Sequence, residues 1–214
     1  EFIALENYAR LLSEARFHNA MFNTFYFTAL AVGLETVVGF ALALLFNREF
    51  RGRGLLRTAL IFPMMSTPMA VALVWQLMYE PTLGIFNYFV KLAGFQPVLF
   101  LGDKSIVIPS LVLMDMWFAT PFVMLIVLAG LSALPAEPYE AAVVDGASHL
   151  QLLWYLTLPL LRPTIIVAVL FRAIAALQTF DHIYAVTGGG PDRASETINL
   201  LGWFQVIENN DMGY

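Results

Sequence analysis

Cysteine is absent from the 214 residues. Disulfides, thiolate nucleophiles and cysteine-held metals are therefore excluded. Charge is scarce as well. Asp, Glu, Lys and Arg make up 13% of the chain, about half the share of a soluble domain, so a continuous water-facing surface is hard to build. The histidines His18, His149 and His182 fall in no HxxxH or HExxH pattern, so the sequence offers no zinc site. No basic stripe points to nucleic acid. No Ser/His, paired-Asp or HExxH constellation points to an enzyme. The Gly188-Gly189-Gly190-Pro191 run lacks the Lys-Ser/Thr of a phosphate-binding loop and reads as a turn. The chain thus carries no ATP site and no cofactor or metal site of its own.

What fills the sequence instead is apolar. Hydrophobic residues make up 59% of it and the mean hydropathy is +0.73. A membrane-crossing helix needs about 20 mostly apolar residues. Four segments qualify: 19–46, with Glu35 inside; 58–79, uncharged but carrying Pro63 and Pro68; 106–131, with Asp115 and Pro121; and 164–186, with Arg172 and Asp181. The expected fold is an all-α, polytopic membrane helix bundle forming one domain over residues 1–214. The prolines Pro63, Pro68, Pro109 and Pro121 predict kinks or breaks, serving either packing or a pathway. The loop 80–105 is itself partly apolar, and its stretch 85–93 predicts a short interfacial helix ended by Gly94.

The net charge of −5 matters less than where the charges lie. Residues 47–57 hold Arg48, Arg51, Arg53 and Arg57 against Glu49, a surplus of three positive charges. A short basic loop beside a membrane helix reads as cytoplasmic. Alternation then puts 132–163 in the cytoplasm too, with 1–18, 80–105 and the tail after Thr187 outside.

The segment 132–163 is the most informative. Pro138 suits a helix start, because its missing N–H would be unpaired there anyway. Gly146 suits the left-handed residue that ends a helix. Ser148 and Gln151 have the spacing of a capping box, which starts a second helix at once. Pro159 and Pro163 are expected to turn the chain back towards the bilayer. Two short helices joined at Gly146 should therefore lie at the inner face. The small side chains of Ala141 and Ala142 would let another surface approach closely, and Glu140 adds a charge. An ordinary amphipathic loop is the plainer reading of the same residues.

Glu140-Ala141-Ala142, then Gly146 after three residues, then Leu156-Thr157-Leu158-Pro159 after nine more, resembles the EAA loop of binding-protein-dependent ABC importer permeases. The departure is Leu156 where Ile is usual. Further stretches resemble the carbohydrate-type branch, that of maltose and glycerol-phosphate permeases. They are Leu5-Glu6-Asn7-Tyr8 with Leu11-Leu12 and Asn23-Thr24, then Pro63 with Ser66 and Pro68, then Thr187-Gly188-Gly189-Gly190-Pro191. The resemblance implies a type I permease fold in the bacterial inner membrane, with one helix missing before Glu1 and one after Tyr214. It implies that Glu140, Ala141, Ala142, Gly146, Leu156 and Pro159 couple the chain to separate ABC ATPase subunits, which bind the ATP and magnesium. A second permease, usually a paralogue, and an extracytoplasmic solute-binding protein are the other implied partners, and a sugar or polyol the implied solute. A proton-coupled carrier using Glu35, Asp115 and Asp181 is the alternative.

Charges inside the bilayer are costly and face a bundle interior or a wet cavity. Arg172 and Asp181 lie nine residues apart on the expected fourth helix, on opposite faces, so they do not pair. Arg172 should instead pair with Glu35 or Asp115, either as an interhelical lock or beside the solute path. Gln178 and Asp181 share a face at i, i+3. With Asp115 and the aromatic Trp117, Phe118 and Phe122 they are candidates for lining a sugar path, packing being the other reading.

Overall fold

The computed structural model describes residues 6–208, and every regular element among them is helical. Leu5, first of the Leu5–Tyr8 stretch, lies outside the described residues. A short α1 (Glu6–Ser13) leads into α2 (Ala15–Asn47), which contains the first expected span. α3 (Arg53–Ile61), α4 (Pro68–Met78), α5 (Ile85–Leu92) and α6 (Val107–Ser132) follow. α7 (Glu137–Val144), α8 (His149–Leu152), α9 (Leu158–Leu177), α10 (Asp181–Thr187) and α11 (Ile198–Trp203) complete the order. Among the described residues, α2, α6 and the continuous stretch His149–Leu177 are long and apolar enough to cross a membrane. The fourth candidate is the pair Arg53–Met65 and Pro68–Met78.

That pair refines the expected second span. It is no single helix but breaks between Met65 and Pro68, in line with the break expected of Pro63 and Pro68. A 3₁₀ turn, Phe62–Met65, tightens the end of α3 around the buried Pro63. Pro68 then opens α4 after Thr67 in extended backbone, as the residue before a proline prefers. The fourth span also differs. It begins at His149, well before Thr164, and breaks after Leu177, so that Asp181 opens a separate helix. Pro159 and Pro163 do not turn the chain; both lie within the continuous stretch. A π turn at Leu153–Thr157 absorbs the strain, since the Pro159 ring crowds the carbonyl four residues back and that carbonyl, of Tyr155, lies in the widened turn. The short helix expected near 85–93 is present. α5 ends at Ala93 with Gly94 at φ +83°, and it exposes Ile85, Tyr88, Phe89 and Leu92.

Packing divides the chain into two units. One takes Val32–Met65 and Met116–Ile174. Its core joins Ala43 and Phe46 of α2, Val123, Met124, Val127, Leu128 and Leu131 of α6, and Leu161 and Ala168 of α9. Lipid is as apolar as these side chains, so close packing rather than water exclusion must hold them. Small residues provide it. A Cβ on Gly39 would fall 2.9 Å from Val123 Cβ, and one on Gly130 would fall 2.8 Å from Thr164 Cγ2.

The other unit takes Ser66–Asp115 with the described residues before Val32 and after Ile174. Trp75, Tyr79, Phe86 and Phe100 pack ring on ring, and the Tyr79 hydroxyl donates to the Ser110 carbonyl at 2.7 Å. The buried Asn87 side chain takes the Val98 N–H at 2.7 Å and donates to its carbonyl at 2.9 Å, closing the loop after α5. The Gln76 side chain donates to the Val186 carbonyl at 3.4 Å, across the packed α4 and α10. Arg16 is paired with the fully buried Glu196, its Nε donating to both carboxylate oxygens at 3.0–3.1 Å. Asn23 ties the same loop down by donating to the carbonyls of Arg193 and Glu196.

Candidate functional site

The knuckle between α7 and α8 is built by local chemistry alone. α7 starts with Pro138 in its first turn. It ends at Gly146, whose φ of +80° is costly for any residue with a Cβ. The Gly146 N–H donates to the Val143 carbonyl at 3.0 Å and the Ala147 N–H to the Ala142 carbonyl at 2.9 Å. This double closure satisfies the last carbonyls of the helix. Directly after it, Ser148 Oγ accepts from the Gln151 N–H at 3.4 Å, and the Ser148 N–H donates to Gln151 Oε1 at 2.7 Å. Two caps thus stand back to back, and the chain between α7 and α8 keeps little freedom.

The knuckle's surface is exposed and small. Glu140 and Ala141 are exposed, Ala142 is half-buried, and Val143 and Val144 are 59% and 87% exposed. Beside them Ala142, Asp145, Gly146, Gln151, Tyr155 and Leu156 line an open groove of about 370 Å³. Pro159 is exposed and Leu156 half-buried. The exposed Val143 and Val144 lie on the turn between α6 and the stretch His149–Leu177. Behind that surface, the Tyr139 hydroxyl donates to Thr157 Oγ1 at 3.0 Å, and Thr157 Oγ1 donates to the Leu152 carbonyl at 3.2 Å.

The intramembrane charges sort themselves by unit. Arg172 takes Glu35, the two being 5% and 0% exposed. Its Nη2 donates to Oε1 at 3.1 Å and its Nε stands 2.5 Å from Oε2. Of the two partners open to Arg172 in the sequence, the structure selects Glu35. Asp115 instead faces His182, with Oδ1 3.5 Å from Nδ1 and both residues buried. The proposed path residues are not all of one kind. Phe122 is half-buried against the core of its unit, and Trp117 on the same helix is 47% exposed. Gln178 and Asp181 are exposed, but they do not share a helical face, because the break at 178–180 separates them. The opposite-face argument for Arg172 and Asp181 lapses for the same reason.

Three pairings were beyond sequence reasoning: His182 with Asp115, Arg16 with Glu196, and Tyr139 with Thr157. Only the first left a trace in the sequence, a histidine inside an apolar run.

Comparison with known proteins agrees with this geometry. The family model described as "Binding-protein-dependent transport system inner membrane component" matches residues 35–212. The trehalose/maltose transport system permease protein MalF of Thermococcus litoralis is 42% identical over 202 residues, which cover 94% of this chain and 68% of that protein. The sulfoquinovosyl glycerol transport system permease protein SmoG of Agrobacterium fabrum is 34% identical over 215 residues, covering 100% of this chain and 70% of its own. The crystal structure of a bacterial alginate ABC transporter, in complex with an alginate pentasaccharide-bound periplasmic protein, contains a chain of the same fold. It has a TM-score of 0.87 and 23% identity, covering 98% of this chain and 74% of that one. None of these relatives supports the proton-coupled alternative. The chain belongs to the binding-protein-dependent transport system inner membrane component family, as a multi-pass permease subunit of an ABC importer.

Proposed function

We propose that the chain forms half of the import path for a sugar, polyol or related solute, and that α7 couples this path to a separate ATPase. The observation that carries the reading is the doubly capped knuckle, with Glu140, Ala141, Val143 and Val144 facing outward from it. Such an element conveys displacement without unravelling. Its small side chains admit a close partner, and Glu140 pairs with a basic group there. In this reading residues 47–57 are cytoplasmic and so, within 132–163, is the part that precedes the fourth span's start at His149. A second permease completes the path, a soluble binding protein delivers solute at the outer face, and ATP and magnesium sit in the ATPase subunits. ATP-driven closure draws the knuckles together and opens the path outward; hydrolysis resets it. The sugar class rests on what the relatives are named for, trehalose and maltose among them.

The test uses the whole importer, purified through a tag on this chain and reconstituted with its binding protein. Trehalose and maltose uptake is measured beside ATP hydrolysis. Glu140→Ala should leave the complex assembled and cut sugar imported per ATP by about ten-fold or more, the worth of one desolvated charge contact. Unchanged uptake per ATP contradicts the coupling role. Uptake that persists without ATP favours a proton-driven carrier.

A further inference from the structure

The knuckle must hand its movement to the membrane helix behind it, and α7 touches that helix through a hydroxyl chain. Tyr139 donates to Thr157, and Thr157 donates to the Leu152 carbonyl. The two links join residues eighteen and five apart in sequence, so the first crosses from α7 to the stretch His149–Leu177 and the second stays within it. Thr157 is 6% exposed and closes the π turn Leu153–Thr157, where the Leu158 N–H reaches back to the Leu153 carbonyl. A π turn costs regular hydrogen bonding and recurs at functional positions. Here it brings a threonine hydroxyl within reach of both α7 and a carbonyl of its own helix. Each hydroxyl polarises the next, so the chain is stronger than its separate bonds.

Thr157 also starts a buried stripe. Thr157, Leu161, Ala168 and Arg172 are all buried and follow at intervals of four, seven and four. Those intervals keep one helix face. From Thr157 the stripe runs for roughly 22 Å at 1.5 Å per residue to reach the Arg172–Glu35 pair.

We infer that Tyr139 and Thr157 form the joint through which α7 drives α9, Thr157 acting as a positioning residue rather than touching solute or nucleotide. The inference rests on the coupling role given to α7 above. With the joint intact, displacement of α7 moves the base of the rod and, through the stripe, the ion pair. Without it, α7 moves against α9 and the stroke is lost.

The absence of cysteine supplies the test. Single reporters Val144→Cys, on α7, and Ile174→Cys, at the far end of the stripe's helix, sit at exposed positions. Each is labelled with a nitroxide before the ATPase subunits are added, and its mobility in the whole reconstituted importer is read with and without ATP plus vanadate. In the parent both mobilities change on trapping. In Thr157→Val, which keeps shape and loses the hydroxyl, the change at Val144→Cys should persist and that at Ile174→Cys should fall roughly three- to ten-fold, the weight of one net hydrogen bond. Thr157→Ser should restore it, and Tyr139→Phe should match Thr157→Val with no further loss in the double variant. An Ile174→Cys response that survives in Thr157→Val and Tyr139→Phe overturns the joint. An unresponsive Val144→Cys in the parent overturns the coupling role of α7 itself. Should Thr157→Val fail to assemble, Tyr139→Phe alone decides, since Tyr139 is only half-buried.

Discussion

Removing one side of the Glu35–Arg172 pair gives the sharpest physical test of the bundle. In Glu35→Gln the guanidinium of Arg172, 5% exposed, stays where a fully buried carboxylate had met it at 2.5 and 3.1 Å. Breaking a buried pair from one side costs about 3–5 kcal/mol, because the surviving charge is left uncompensated. Arginine has no escape, since shedding its proton at neutral pH costs ~8 kcal/mol, whereas a lone carboxyl takes one up for ~4 kcal/mol. Glu35→Gln should therefore be the worse of the two single changes, with Arg172→Met milder. Glu35→Leu with Arg172→Met removes both charges and should recover most of the loss, as apolar replacements of buried pairs do. At about 2–4 °C per kcal/mol for a chain of this size, Glu35→Gln should lower the melting point by roughly 6–20 °C. The assay is thermal unfolding of the detergent-solubilised importer followed by size-exclusion fluorescence. A melting point within ~2 °C of the parent for Glu35→Gln, on the same scale, refutes the reasoning. So does a double variant as unstable as Glu35→Gln alone.

Other outcomes follow from particular contacts. Gly39→Ala sets a Cβ 2.9 Å from Val123 Cβ and 3.1 Å from the Met124 backbone nitrogen, whereas the nearest neighbours of the new Cβ of Gly130→Ala are side-chain atoms of Thr164 and Leu161. Overpacking costs of about 1–3 kcal/mol should therefore fall harder on Gly39→Ala, read in the same melting assay. Ser148→Ala removes half of the capping box and should cost about 1 kcal/mol, with loss of amide-exchange protection centred on α8. The Leu83 N–H, then the Thr82 hydroxyl, hold the Glu80 carboxyl below its ordinary value. A depressed carboxylate lends stability above its unfolded value and loses it as pH falls through the folded one. Amide exchange at Thr82–Leu83 should thus stay slow at neutral pH, after correction for intrinsic rates, and speed up only in acid below the usual glutamate range.

The knuckle was legible in the sequence because its determinants are local. Pro138, Gly146 and the Ser148–Gln151 box each act within a turn of themselves, and each appears where expected. The membrane segments were legible by composition, although their limits were not. Pro63 and Pro68 announce a break without fixing where each half ends, and no residue near Gln178 announces that α9 stops there. Pro159 and Pro163 misled: the helix runs through both, with a π turn accommodating Pro159. Partners were legible only as a choice. Glu35 and Asp115 were equal candidates for Arg172 until the packing of α2, α6 and α9 placed Glu35 against it. The Tyr139–Thr157 bond depends on a widened turn that no spacing rule anticipates.

The account's central claim is that the knuckle stands at the cytoplasmic face within reach of an ATPase. The most direct test is a membrane-impermeant maleimide applied to Val144→Cys, at the most exposed valine of α7. The account predicts labelling in inside-out vesicles stripped of the ATPase, protection when the ATPase is restored, and no labelling in intact cells. Labelling from outside, or labelling indifferent to the ATPase, contradicts it.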